Sequence, residues 1–399
     1  MMGLKYVFGT AVLAVVCAAC EKDSAGELMR EECDRIVFDT PALMVETVTR
    51  SALKDALVPG DEFGVLGYCV PYTVGTQTPN YNAGASLWAL KRALCPPDVF
   101  YKQRVVVGTG GCTYDRNGGT GNDPKYWYRD GYDTDNAANA GVTGTDDYRY
   151  SFVAYYPYSG AFTVDKPETG QTAGAPVLTF TMPQTGTDVA APLDHRATPD
   201  AMLAVLYNSR KSDGNLRFNF SHVLTGLGFE VNNFSGYDLE VKSVTLSGSF
   251  YKKVRIDLTG DVSSFSFPGD RYTGTYTLFD GDASGGSLML PAPDASLGET
   301  VTSSPSPIGG EHVMLISGTG TSFGENVKVR IEYVFNGVPN VFETARPGTF
   351  TPQAGIKYTA QLNFVGDTFV LQFVVDNQEQ WEDGEADDED ETNDDVIFE

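Results

Sequence analysis

Histidine and cysteine are scarce in this chain, which contains 3 His and 6 Cys among 399 residues. None of the histidines lies in an HExxH pattern, which excludes a zinc protease of that class. The sequence also lacks the phosphate-binding loop and the dinucleotide fingerprint. We therefore predict a protein that is not an enzyme and that needs neither a metal nor a cofactor.

Basic residues are outnumbered, and long apolar runs are missing. The chain has 28 Lys and Arg against 53 Asp and Glu, a net charge of −25. Nucleic acid is therefore excluded as a partner, because a phosphate backbone needs a basic surface. No segment approaches the roughly 20 apolar residues that a membrane helix requires. Twelve of the acidic residues lie in residues 379–399, where Lys and Arg are absent.

The first residues of the chain have the pattern of a secretory signal. Lys5 is followed by an apolar run over residues 6–16 and by Ala18, Ala19 and Cys20. This ending resembles the lipobox of bacterial lipoproteins, which implies removal of residues 1–19 and acylation of Cys20. The next residues, 21–23, resemble the charged signal for the outer face of the outer membrane. We expect a surface-exposed lipoprotein; the alternative is an ordinary signal peptide with an incidental Cys20.

The remaining sequence predicts an all-β protein. With 23 Phe, 21 Tyr, 43 Gly and 21 Pro, the composition favours strands and turns. Short apolar runs, such as residues 239–250 and 368–375, indicate β-sandwiches rather than βαβ units, whereas residues 201–207 fit either a strand or one helical turn. Our predicted divisions are a tether with an N-terminal strand (20–50), two β-sandwich domains (51–205 and 206–376) and an acidic, disordered tail (377–399).

Four cysteines remain after export, namely Cys33, Cys69, Cys95 and Cys112. In an exported chain they allow two disulfides in three pairings. The nearest-neighbour arrangement would join Cys33 to Cys69 and Cys95 to Cys112. Free thiols are the alternative, and no CxxC spacing among these four favours zinc.

Three groups of residues allow a binding interpretation beside a structural one. A group of Asp side chains in Gly-rich loops could supply oxygen ligands to calcium. Their spacing fits no known calcium-binding loop, which favours solvated side chains. A group of Trp and Tyr side chains could stack on sugar rings, although such side chains more often pack in a core or a loop. His222 lies in an apolar stretch and is interpreted as structural. The two larger groups are Asp130, Asp133, Asp135, Asp146 and Asp147, and Trp88, Tyr126, Trp127 and Tyr128.

Four stretches together resemble the fimbrillin family, the subunits of type V pili in Gram-negative anaerobes. The first is the lipobox with the charged residues after it. The second runs from Ile36-Val37-Phe38 through Thr49-Arg50-Ser51 to residues 60–68. The third, which is the most specific, comprises residues 199–204, 216–231 and 241–248. The fourth is residues 355–364.

The resemblance implies two tandem transthyretin-like β-sandwich domains and a strand that is exchanged. A trypsin-like protease would cut between Arg50 and Ser51 and release the strand that contains Ile36, Val37 and Phe38. A strand of a neighbouring subunit would then fill the groove, so the partners would be other pilus subunits, with a host or bacterial surface receptor also expected. We expect Ile36 and Phe38 to be buried and Val37 to lie on the opposite face.

The acidic tail departs from the family pattern. A donor strand should alternate apolar residues, and the tail offers only residues 396–398 for burial. This favours a tip or accessory subunit over a stalk subunit. The alternative from another class is a surface glycan-binding lipoprotein of a polysaccharide-capture system. The Arg50 site discriminates between them, because a glycan binder needs no such cut.

Overall fold

The structure is a computed structural model, and the part of the chain that it describes is almost entirely β. It describes residues 35–43, 56–73, 78–79, 97, 99–114, 125–127, 148–158, 160, 162–165, 177–184, 193, 197–258, 264–267, 271–283, 285–310, 312–317, 324–344 and 352–375. The only helical turns in these ranges are three short 3-10 segments, Lys211–Asp213, Ala295–Leu297 and Ile308–Gly310. The all-β prediction is confirmed.

The first sheet carries the N-terminal residues and has the strand order β1-β10-β9-β6-β2-β4-β5, with β3 paired to β2. Only the edge pair β1–β10 is parallel; the other pairs are antiparallel. Its strands are β1 (Ala42–Leu43), β2 (Glu62–Thr73), β3 (Thr78–Pro79), β4 (Phe100–Gly108), β5 (Gly111–Thr113), β6 (Tyr148–Tyr156), β9 (Met202–Ser209) and β10 (Asn219–His222).

The second sheet has the order β14-β13-β8-β7 and combines distant parts of the chain. Its strands are β7 (Phe162–Asp165), β8 (Val177–Thr181), β13 (Lys253–Asp257) and β14 (Ser264–Ser266). Tyr155 of the first sheet packs against Phe162 of the second, with ring centroids 5.7 Å apart. One face of the first sheet therefore packs on the second sheet.

The third and fourth sheets form a sandwich from the later part of the chain. The third contains β11 (Thr225–Asn233), β17 (Thr302–Ser303), β18 (Val313–Leu315), β21 (Lys357–Val365) and β22 (Thr368–Val375). The fourth contains β12 (Leu239–Tyr251), β15 (Arg271–Asp280), β16 (Leu288–Leu290), β19 (Gly324–Phe335) and β20 (Val338–Glu343). Tyr333 joins the sheets through ring contacts with Phe364 and Phe369, at 5.5 and 5.1 Å.

Two apolar cores divide the buried side chains. The first lies on the other face of the first sheet and contains Ile36, Phe38, Phe63, Phe152 and Phe218 among its members. The second continues from the interface between the first two sheets into the sandwich of the third and fourth. The predicted division between residues 205 and 206 falls inside β9, and the bounds of the two domains stay a prediction.

Candidate functional site

The candidate site is the N-terminal segment, residues 35–43, which runs along one edge of the first sheet. It lies parallel to residues 216–220, so that its main chain continues the sheet beyond β10. Three main-chain hydrogen bonds join the two: Asp39 N–H to the Leu216 carbonyl (2.8 Å), Leu216 N–H to the Val37 carbonyl (2.9 Å) and Ala42 N–H to the Phe218 carbonyl (2.9 Å). The segment therefore satisfies an edge that would otherwise be open.

The same segment also reaches the opposite edge of the sheet. The Phe38 carbonyl accepts a hydrogen bond from the Cys112 N–H of β5 at 2.9 Å, and the Ile36 N–H donates to the Lys125 carbonyl at 2.8 Å. Because β10 and β5 are at opposite ends of the strand order, one short segment closes both ends. The sheet consequently curls around a core that the N-terminal segment completes.

Ile36 and Phe38 insert into this core. Both are fully buried, whereas Val37 between them is half-buried. This alternation is what an extended chain produces, since successive side chains point to opposite faces. The burial predicted from the sequence for Ile36 and Phe38 is confirmed. The role of the three residues as a displaced strand stays a prediction.

Phe38 has the densest surroundings in the segment. Its ring contacts four aromatic rings from different parts of the first sheet, with tilted or edge-to-face geometry that aromatic pairs prefer. The partners are Phe100, Tyr114, Phe152 and Phe218, at centroid distances of 5.7, 5.7, 6.0 and 5.3 Å. Removing Phe38 would leave a hole lined by aromatic side chains.

Tyr114 fixes the start of the segment through polar contacts. Its hydroxyl donates to the Ile36 carbonyl at 2.6 Å, and the Arg35 guanidinium lies 4.9 Å from its ring centroid. Burial raises the pKa of Tyr114, and the hydrogen bond with Arg35 opposes that rise. The hydroxyl is thus a stable donor at neutral pH. Sequence analysis missed Tyr114, because no local pattern marks a hydroxyl that acts on residues so distant along the chain.

Two of the four predicted disulfide cysteines are described. Cys112 is half-buried, and its thiol donates to the Asp39 carbonyl at 3.3 Å. Burial raises the pKa of Cys112 to about 11, so the group stays a thiol at neutral pH. Cys69 is buried in β2. Their predicted partners, Cys33 and Cys95, lie outside the described residues, and both pairings stay predictions.

Several other predicted site residues also lie outside the described ranges. They are the lipidation residue Cys20, the processing residues Arg50 and Ser51, the carboxylates Asp130, Asp133, Asp135, Asp146 and Asp147, the aromatics Trp88 and Tyr128, and the acidic tail. Within the described ranges, no group of three or more His, Cys, Asp and Glu side chains is arranged to hold a metal ion. Those ranges also contain no helix with the length and apolarity needed to cross a membrane.

Trp127 and His222 both have structural surroundings. Trp127 is buried, and its ring packs edge-to-face on Tyr150 at 4.7 Å. It therefore offers no open face to a sugar, and its role is to pack in the core. His222 Nδ1 lies 2.6 Å from Asp200 Oδ1, with both side chains 1% exposed. The structural interpretation of His222 is confirmed, while its partner Asp200 was not identified from the sequence.

Comparison with known proteins points to one family. A family model described as fimbrillin-like matches residues 144–376, more than half of the chain. A cell-adhesion candidate from Bacteroides ovatus is 16% identical with a TM-score of 0.41, covering 85% of this chain and 95% of its own. The tip fimbrial protein Mfa3 of Porphyromonas gingivalis, with a C-terminal truncation, is 10% identical with a TM-score of 0.31, covering 86% and 98%. The fimbrial anchor protein Mfa2 of the same organism is 10% identical with a TM-score of 0.25, covering 79% and 89%. Comparison with curated proteins gives no significant match.

Proposed function

Because the chain belongs to the fimbrillin-like family, we propose that it is a non-enzymatic pilus subunit whose N-terminal segment is exchanged for a strand of a neighbouring subunit. The observation that carries this proposal is the position of residues 35–43. They bond to both ends of the first sheet and supply Phe38 to the centre of its core. A strand in this position can leave and be replaced without a change in the order of the other strands.

The energetics of exchange favour replacement over an empty groove. Burying a large apolar side chain stabilises a fold by about 1.5–3 kcal/mol, so the loss of Ile36 and Phe38 would cost about 3–6 kcal/mol. Main-chain groups of residues 216–218 and of Cys112 would lose their partners as well. An incoming strand that places apolar side chains two residues apart would restore both the apolar burial and the main-chain hydrogen bonds.

The maturation route in this proposal begins with the lipid on Cys20 and ends with a cut between Arg50 and Ser51. A trypsin-like protease at the outer membrane surface would make the cut, after which no peptide bond joins residues 20–50 to the rest of the chain. A Cys33–Cys69 disulfide would oppose release, because β2 would keep the cut segment tethered. Efficient assembly therefore requires that this bond be absent or reduced.

Replacement of Arg50 tests the mechanism. The variant Arg50→Ala should stay uncut and monomeric after treatment with a trypsin-like protease, whereas the wild type should form high-mass species on a gel run without boiling. The matched control is Lys54→Ala, which removes the next basic residue but leaves Arg50 in place and should assemble normally. N-terminal sequencing should give Ser51 in assembled protein. Equal assembly of the Arg50→Ala variant and the wild type, or mature protein that begins at Cys20, would refute the proposal.

The subunit's place in the pilus follows from the tail in this proposal. Residues 377–399 do not alternate apolar side chains as a donor strand should. The chain would accept a strand but would not donate one from its C-terminus, as a tip or accessory subunit does. Adding the purified chain to growing polymers should then stop growth at the end to which it binds. Continued growth beyond it would exclude the tip position.

A further inference from the structure

A cluster of exposed apolar side chains covers one end of the sandwich formed by the third and fourth sheets. Phe234 and Tyr237 lie in the β11–β12 loop and are 45% and 59% exposed. Val338 follows the β19–β20 turn at 58%, and Val365 precedes the β21–β22 turn at 50%. We call these four residues the tip patch. It is independent of the N-terminal segment and extends beyond the proposed exchange mechanism.

The four residues lie around one ring pair, formed by the half-buried Phe335 and the buried Phe364. The rings of Phe335 and Phe364 lie 4.9 Å apart at the end of the core. Tyr237 packs edge-to-face on Phe335 at 5.7 Å, and Val338 is the cross-strand partner of Phe335. Phe234 donates its N–H to the Phe364 carbonyl at 2.9 Å, and Val365 is the next residue after Phe364. Tyr237, Phe335 and Val338 are therefore neighbours, and Phe234 and Val365 lie at the same end of the sandwich, whereas single exposed apolar residues are common and need no explanation.

The β11–β12 loop is held in one conformation by Asn233, which is fully buried. Its amide nitrogen donates to the carbonyls of Tyr237 (2.9 Å) and Leu290 (3.0 Å). Its side-chain oxygen accepts from the N–H of Ser235 (3.0 Å) and from the Ser235 hydroxyl (2.7 Å). Phe234 and Tyr237 are thus presented by a loop that the hydrogen bonds of Asn233 hold in place.

The two hairpin turns are equally constrained. Asn336 and Gly337 have φ values of 51° and 73°, the left-handed pair that a tight two-residue hairpin turn requires. Gly366 has a φ of 70° in the turn between β21 and β22. Short turns of this kind lose little conformational freedom when a partner binds. The tip patch consequently has the preorganisation that a binding surface needs.

Charge at this end of the sandwich indicates the chemistry of the partner. The loops over residues 234–238, 291–301, 335–338 and 365–368 contain the carboxylates Asp238, Asp294, Glu299 and Asp367 and no Lys or Arg. An apolar centre with an acidic border complements an apolar surface that carries Lys or Arg around it. A second copy of the chain and its own acidic tail carry the same sign of charge, and so does an anionic lipid surface. All three are therefore disfavoured as occupants.

We propose that the tip patch is a docking surface for a protein partner whose apolar side chains are flanked by lysine or arginine. Aromatic side chains at the centre of such a surface carry most of the binding free energy. The border carboxylates act mainly on the association rate and its salt dependence. Phe234 and Tyr237 are the anchors, and Asp238 and Asp367 select the charge of the partner.

The test uses the uncut full-length chain and immobilised synthetic peptides of alternating apolar and Lys or Arg residues. The wild type should bind, and the double variant Phe234→Ser/Tyr237→Ser should bind about tenfold or more weakly, as expected for the loss of central aromatic anchors. The matched control is Val58→Ser/Val341→Ser, which removes two apolar side chains of similar exposure elsewhere, at 51% and 56%. This control should bind like the wild type.

Charge is tested with Asp238→Asn/Asp367→Asn, which keeps an oxygen acceptor for the Ala292 N–H that now bonds to Asp238. The variant should lose most of the salt dependence of peptide binding. Four results would overturn the proposal: equal binding by the Phe234/Tyr237 variant and its control; equal binding of peptides with Glu in place of Lys and Arg; self-association that the patch variant abolishes; and binding seen only after removal of residues 377–399. None of these results depends on cleavage at Arg50, so failure here leaves the exchange mechanism untouched.

Discussion

Replacing Phe38 by alanine removes the side chain that contributes most to docking of the N-terminal segment. Phe38 is fully buried and contacts four aromatic rings. Substitutions of this kind in a core cost about 3–5 kcal/mol. Because the main-chain bonds of the segment remain available, we expect the loss to appear as easier local opening rather than as global unfolding.

Amide hydrogen exchange measures this opening directly. The N–H groups of Ile36, Asp39 and Ala42 are bonded to carbonyls outside the segment and report on its release. A loss of 3–5 kcal/mol should accelerate their exchange by about 10²- to 10³-fold or more, at 1.4 kcal/mol for each factor of ten. The Phe234 N–H, which bonds to the Phe364 carbonyl of the third sheet, should keep its wild-type rate.

The matched control is Val37→Ala in the same segment. Val37 is half-buried, so its truncation should cost about 1 kcal/mol and change the exchange rates by less than tenfold. Two results would refute the reasoning. One is exchange in Phe38→Ala within a factor of ten of Val37→Ala. The other is a uniform acceleration in all sheets, which would show that the segment does not open by itself.

Three further predictions concern anchoring, the tail and acid stability. Cys20→Ala should lose lipid labelling and membrane association; fractionation with membranes as for the wild type would contradict acylation there. Truncation after Asp376 should leave the monomer's melting temperature nearly unchanged, and a drop of several degrees would show that the tail packs on the body. The hydrogen bond from Arg104 lowers the pKa of Glu62 below 4.5, so this pair stabilises the fold above that pH and its contribution disappears as the pH falls through the lowered pKa. In Glu62→Gln, the free energy of unfolding should therefore fall less steeply as the pH is lowered. Urea titrations at several pH values measure this, and the same pH dependence in the variant and the wild type would contradict the prediction.

Strand positions were predictable where side-chain alternation is local. The prediction of a strand over residues 368–375 coincides with β22, and the predicted strand over residues 239–250 lies within β12. Residues 216–220 show a partial success. Leu216, Phe218 and Phe220 are buried in alternation as predicted, but β10 begins only at Asn219. Alternation predicts which face is buried, while hydrogen bonds with neighbouring strands determine where a strand starts.

Features that depend on distant partners could not be predicted. Residues 201–207 fitted a strand or a helical turn, and pairing with β6 and β10 makes residues 202–207 part of strand β9. The hairpin of β13 and β14 crosses to pair with β8 of the earlier half, which no local pattern indicates. The tip patch was missed for a related reason. Two of its residues lie in the β11–β12 loop and the other two at the turn ends of separate hairpins, and only the register of the sheets brings these positions to one end.

The parallel pairing of β11 with β21 has a consequence for the order in which the chain folds. Gly226 is the partner of Lys357, so the centre of the third sheet cannot form until nearly all of the described chain has been synthesised. Contacts of such long sequence separation form slowly, since the loop must be closed before the contacts stabilise it. The N-terminal segment likewise waits for residues 216–220. We therefore expect the first described residues of the chain to be among the last to reach their place in the fold.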